Sequence, residues 1–162
     1  LHTDLILGLP GEDWISIGDS FDTLLSLKPH EIQVGILKKL PGAPIAQHDL
    51  PWQMTYSPYA PYEILCHKKL TFEELQKLKR FARYWDIYGN SVHFKNTFSL
   101  LWSNQDESAF AQIMQFCEWL YQEARRTSEI SLKNQWHYLE RYLLNVKKIP
   151  LVHWNEQKKL DQ

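Results

Sequence analysis

Two glycine–proline loops carry most of the chemistry this chain can offer. Gly8-Leu9-Pro10-Gly11-Glu12 follows one apolar run, and Lys38-Lys39-Leu40-Pro41-Gly42-Ala43-Pro44-Ile45 follows another. Glycine lets backbone approach a ligand closely, and a strand end offers N–H and C=O groups that have no ladder partner. Such loops suit recognition through the main chain. The plainer alternative is that Gly8 and Gly11 only shape a turn. Phosphate is disfavoured at the first loop, because Glu12 and Asp13 put negative charge in the first turn and Pro10 removes a donor. Neither a Walker Gly-Lys-Ser/Thr nor a full Gly-x-Gly-x-x-Gly is present.

The remaining reactive side chains form no constellation. Cys66 and Cys117 show neither metal-ligand spacing nor a disulfide framework, so a reducing cytoplasm is the expected compartment. His48-Asp49 and Trp136-His137-Tyr138 hold isolated histidines, better read as hydrogen-bonded than as metal ligands. Lys68, Lys69, Lys77, Lys79, Arg80 and Arg83 make a basic stretch with aromatics between, but Glu73 and Glu74 interrupt it. With a net charge of −1, a solvated helix face outweighs nucleic-acid binding. No apolar run approaches the ~18 residues needed to span a bilayer. Neither nucleic acid nor membrane is expected as a partner, and no catalytic or metal-ligating residue is expected in the chain itself. The segment 52–62, rich in Tyr, Trp and Pro, reads as an ordered loop packed on its neighbours or, less simply, as a pocket lining.

The two loops need a frame. Residues 4–7 predict a buried strand, and Trp14, Ile17, Phe21, Leu24 and Leu25 predict an amphipathic helix over roughly 12–27, ended by Lys28-Pro29-His30. Residues 31–37 predict a second strand. Strand, helix and strand with short connections form a parallel βαβ unit. Both loops then lie at the same sheet edge, where parallel α/β folds bind ligands. Residues 62–66 suggest a short strand. Thr71 and Glu74 form a capping box that opens a helix with Phe72, Leu75, Leu78, Phe81, Ala82 and Trp85 on one side. Phe94, Phe98, Leu101 and Trp102 suggest a second helix. Phe110, Ile113, Met114, Cys117, Leu120, Tyr121 and Ala124 give a third, and Leu132, Trp136, Leu139, Leu143 and Val146 a fourth.

The expected organisation is α/β followed by mostly α. Residues 1–50 form one βαβ unit, the remnant of a partial (β/α) barrel. Residues 51–70 are an aromatic, proline-rich connector, 71–147 a helical module of four segments, and 148–162 a frayed tail. A parallel strand at the very start of the sequence implies missing neighbours, so the chain is expected to be the C-terminal part of a larger protein. Its partners would be the rest of that parent chain or, through exposed strands, a second copy.

The loops carry a resemblance. Asp4-Leu5-Ile6-Leu7-Gly8-Leu9-Pro10-Gly11-Glu12 resembles the fifth-strand segment of the radical S-adenosylmethionine (radical SAM) enzymes, where an apolar strand runs into Gly-Phe/Leu-Pro-Gly-Glu/Gln. Leu40-Pro41-Gly42-Ala43-Pro44-Ile45 resembles the Pro-Gly-Thr-Pro-Leu segment after the sixth strand. Lys28-Pro29-His30-Glu31-Ile32-Gln33, Phe81-Ala82-Arg83-Tyr84-Trp85 and Tyr88-Gly89-Asn90-Ser91 resemble those radical SAM proteins that have an N-terminal cobalamin-binding domain and an appended helical domain of unknown function. The resemblance implies a partial barrel, S-adenosylmethionine, a [4Fe–4S] cluster and, for that group, cobalamin in the parent protein. It implies that Ile6, Gly8, Leu9, Pro10, Gly11 and Glu12 line the adenine side of the SAM site, and that Ile36 and Leu37 approach the adenosine. The Cys-x3-Cys-x2-Cys motif that holds the cluster is absent, so the chain alone is expected to be inactive and to hold no cofactor. The competing expectation is a non-catalytic helical docking or lid module over 71–147, suggested by the high aromatic content.

Overall fold

The computed structural model describes residues 2–162. The chain is mixed α/β and divides into two compact units, 1–82 and 83–162. The first begins with β1 (His2–Leu7), α1 (Trp14–Ser26) and β2 (Glu31–Ile36). The two strands are parallel and in simple register, with Leu5 opposite Val34 and Leu7 opposite Ile36. Asp13 caps α1: its Oδ1 accepts from Ser16 N at 2.9 Å, and Ser16 Oγ accepts from Asp13 N at 2.9 Å. Lys28, at φ +49°, and Pro29 end the helix.

Alternation along β1 decides what this small sheet buries. Leu5 and Leu7 point inward with Ile32, against α1, where Ile17 and Phe21 are buried. Each such side chain contributes about 1.5–3 kcal/mol by leaving water. The other face holds His2, Asp4, Ile6 and Gln33, all exposed. Residues 4–7 predict a buried strand; Leu5 and Leu7 are buried, but Asp4 and Ile6 lie on an exposed face that is polar apart from Ile6. No barrel closes: among the described residues the sheet has these two strands only.

The connector is more ordered than its composition suggests. After a 3-10 turn (Pro44–His48) and the short α2 (Asp49–Trp52) come β3 (Thr55–Tyr56) and β4 (Ile64–Cys66), an antiparallel pair. The chain beyond β2 joins this pair: Ile64 N donates to Leu37 O at 2.9 Å and Lys39 N to Tyr62 O at 3.0 Å. A tight turn from His67 to Leu70 leads into α3 (Phe72–Tyr88). The Thr71–Glu74 capping box forms, with bonds of 2.8 and 3.2 Å. Leu75, Leu78 and Phe81 of α3 are buried, and Phe81 meets Phe21 edge-on at 5.0 Å.

His67 is a buried polar group in this turn. Its Nδ1 accepts from Lys69 N at 3.2 Å, so Nε2 carries the hydrogen, and that atom has no partner among the described residues. Burial, then the nearby Lys69 charge, holds its pKa below the ordinary value. The unfolded chain therefore binds more protons below the ordinary histidine pKa of about 6.5. Stability is expected to fall as pH drops from 7 towards 5. Denaturant midpoints at the two pH values will measure this, and His67→Gln should flatten the slope.

The second unit contains α4 (Ala109–Ala124), α5 (Leu132–Arg141) and α6 (Leu151–Asp161). Ser108 and Ser131 cap α4 and α5 through their hydroxyls. Two expectations are corrected. The helix expected around Phe94–Trp102 is a pair of 3-10 turns, Val92–Phe94 and Phe98–Trp102. Between them the Asp161 carboxylate accepts from Asn96 N, Asn96 Nδ2, Thr97 N and Thr97 Oγ1, each at 2.8 Å. Two amides that a continuous helix would use internally are thus held by a side chain. The expected tail is α6, anchored by Trp154, which has no exposed surface. Sparse apolar residues hid it: one buried tryptophan and one carboxylate do the docking.

The aromatic excess lies largely inside this unit. Tyr88 packs against Phe94, Phe98 and Phe116 at 4.9–5.4 Å, Phe94 against Trp136 at 4.6 Å, and Phe116 against Tyr142 at 5.1 Å. Burial pushes the Tyr88 phenol far up, and its hydroxyl donates to Gln135 O at 3.1 Å. A π turn at Tyr142–Val146 extends α5. Just beyond it, the Lys147 ammonium donates to Gln112 Oε1 at 2.6 Å and to Leu101 O.

Candidate functional site

The parallel register puts the Gly8–Asp13 turn and the Leu37–His48 loop after the C-terminal ends of neighbouring strands. That juxtaposition is the candidate site, and each expected residue has a definite place in it. Ile6 lies on the outer face, 41% exposed, opposite Gly35. A Cβ on Gly35 would stand 3.7 Å from the Ile6 Cδ1, an ordinary contact. Gly8 has φ +92°, and a Cβ there would lie 2.7 Å from Ile64 Cγ2. Packing against β4, together with the left-handed backbone, requires this glycine. Gly11 also has a positive φ, +90°, with Trp52 at an ordinary 3.6 Å.

Leu9 and Pro10 form the half-buried corner of the turn. Glu12 folds back over it, and its Oε2 accepts from Leu9 N at 3.2 Å. Burial raises the Glu12 pKa, partly offset by the backbone donors Leu9 and Gly8. The turn's amides are thus engaged by its own carboxylate. Ile36 ends β2, half-buried. Leu37 is buried, its N donates to Leu7 O at 2.9 Å, and its carbonyl accepts from Ile64 N. The free strand-end groups expected at Leu37 are therefore already bonded, because β4 lies alongside.

The second loop opens differently. Leu40-Pro41-Gly42-Ala43 is a turn closed by Ala43 N donating to Leu40 O at 3.0 Å, with Gly42 at φ +76°. Proline and glycine at its two central positions are what a type II turn requires. A cleft of about 320 Å³ lies beside it, with Lys39, Leu40, Pro41, Ala43, Tyr56 and Tyr62 in its walls. Lys39 is paired with Asp49 Oδ2, and its ammonium stands 5.3 Å above the Tyr56 ring. Asp49 Oδ1 and the Tyr56 hydroxyl are buried and have no hydrogen-bond partner in the described protein. Burial, then the Asp49 charge, raises the Tyr56 pKa. The Lys39–Asp49–Tyr56 grouping was missed from sequence. Its only signals were a lysine before the Pro-Gly turn and the tyrosines of the connector, which the sequence keeps apart.

No group of three or more His, Cys, Asp or Glu side chains suited to a metal occurs among the described residues. No helix of the described residues is long and apolar enough to cross a membrane. The profile of a protein family of unknown function, DUF4080, matches residues 51–161. The chain belongs to the DUF4080 family. The match begins in the aromatic connector and runs through α6, so the βαβ unit precedes the DUF4080 region. No curated protein matches the chain significantly.

Proposed function

We propose that this chain is the C-terminal part of a radical SAM protein of the cobalamin-binding-domain type. In this reading the βαβ unit is part of the SAM wall, and the DUF4080 region is the appended domain that covers the site or its substrate. The observation that carries it is the placement of Gly8-Leu9-Pro10-Gly11-Glu12 and Leu40-Pro41-Gly42-Ala43-Pro44 on one edge of a parallel pair. A domain of unknown function directly downstream is what the resemblance calls for.

The chain's residues do not fit an iron–sulfur cluster. Cys66 and Cys117 are its two cysteines, and a cluster needs three converging thiolates. The cluster, and with it the chemistry on SAM, belongs to the parent's other part. What this chain can give a nucleoside is the exposed Ile6 side chain and the Leu9–Gly11 corner, a dry edge held in shape by Gly8 against Ile64 and by Glu12 across the turn. The remainder of the parent polypeptide is then the natural partner of β1 and β2. A docking module without catalysis is the weaker reading, since the aromatic residues that suggested it are mostly core.

The test uses the parent protein, purified without oxygen and with its cluster reconstituted. Reductive cleavage of SAM to 5′-deoxyadenosine and methionine is the expected result. An intact SAM pool after reconstitution overturns the reading, as does a coding sequence without Cys-x3-Cys-x2-Cys upstream of Leu1.

A further inference from the structure

The cleft beside the Pro41–Gly42 turn has a chemistry of its own. Its volume, about 320 Å³, holds one ring with a short substituent. Two tyrosine rings, Leu40, Pro41 and Ala43 make the walls flat and apolar, which favours a planar guest. Tyr62 is held at φ +62°, unusual for an aromatic residue, and is 37% exposed. Ser57, also in the wall, is engaged with Tyr59, its Oγ accepting from Tyr59 N at 3.2 Å.

Lys39 is the one charged residue of the wall, and its side chain is 34% exposed. Among the described residues its ammonium has a single hydrogen-bond partner, Asp49, so N–H bonds remain to donate. The Asp49 charge offsets the ammonium for any ion that enters. An anion meets the carboxylate just behind the lysine, and a cation meets the ammonium first, with Asp49 Oδ1 sealed away from it. A neutral acceptor takes a lysine N–H without either conflict.

We propose that this cleft binds a small, neutral, planar ring bearing a carbonyl acceptor, of the aromatic-amide class. The ring lies against the tyrosines and the carbonyl accepts from Lys39 Nζ. This site does not depend on the radical SAM reading, because it needs neither the first loop nor the cluster.

Benzamide is the probe, titrated into the 162-residue chain and followed by amide resonances. Saturable shifts at Gly42, Ala43, Ala46 and Ser57 are expected, with a Kd of about 1 mM, as befits so few atoms. Benzoate and toluene should each bind at least about fivefold more weakly, the first for its charge and the second for its missing acceptor. Tyr62→Gly keeps a residue that accepts the positive φ while removing the ring, and should weaken benzamide about tenfold. Lys39→Met should erase the preference for benzamide over toluene. Shifts that fail to saturate, shifts centred elsewhere, benzoate binding as well as benzamide, or an unchanged Tyr62→Gly protein would each overturn the proposal.

Discussion

Trp154→Ala is expected to cost the second unit about 3–5 kcal/mol, the usual range for deleting a fully buried tryptophan. That is a large share of the roughly 5–15 kcal/mol by which a domain is stable. The indole is wholly buried, meets Trp136 at 6.0 Å, lies under the Lys158 ammonium at 5.4 Å, and donates Nε1–H to Glu140 Oε1 at 2.9 Å. Trp154→Phe should recover most of the packing and lose about 1 kcal/mol for the hydrogen bond. Leu151 and Val152, 58% and 64% exposed in the same helix, set the baseline: either to alanine should change stability by less than about 0.5 kcal/mol. Urea denaturation of the four variants measures the set. A Trp154→Ala protein as stable as Leu151→Ala would mean that α6 does not dock.

The second large effect is at Gly8. Alanine there meets two penalties: a left-handed φ of +92°, and a methyl 2.7 Å from Ile64 Cγ2. Strain of about 1–2 kcal/mol and overpacking of about 1–3 kcal/mol together predict a loss of about 2–4 kcal/mol. Gly11→Ala is the control. It shares the backbone strain at φ +90°, but its neighbour Trp52 is 3.6 Å away, so about 1–2 kcal/mol is expected. The difference between the two variants in the same denaturation experiment reports the Ile64 contact. Equal losses would show that this contact yields freely. Under the radical SAM reading proposed above, a loss of SAM cleavage in a parent protein carrying Gly8→Ala would speak first of folding, and only second of ligand contact.

What could be read in advance follows from range. The βαβ order, the capping box at Thr71 and the stripe from Phe110 to Ala124 are local patterns, and each gave an element within a residue or two of its place. Three features were not readable because partners distant in sequence decide them. Asn96 and Thr97 leave the helical pattern because Asp161 takes their amides. Leu37 has no free strand-end groups because Ile64 returns to it. Asp49, beside an unremarkable His48, becomes the counter-ion of Lys39 only after the Leu40–Ala43 turn and the 3-10 turn Pro44–His48 bring the chain back. The polar outer face of the sheet is visible in His2 and Asp4 of β1 and Gln33 of β2, but the apolar run Leu5–Leu7 suggests a buried strand. For the candidate site, the loops were legible as motifs. Their internal satisfaction by Glu12 and Ile64 was not.

The Asp161 clasp also bears on the order of events during synthesis. Its four hydrogen bonds bridge 64 and 65 positions of sequence, nearly the full length of the second unit. Contacts of that span form late, after loop closure has been met by other packing. The Asn96 and Thr97 amides therefore gain this acceptor only once residue 161 is present, and a chain still lacking it is expected to leave the corner unlatched.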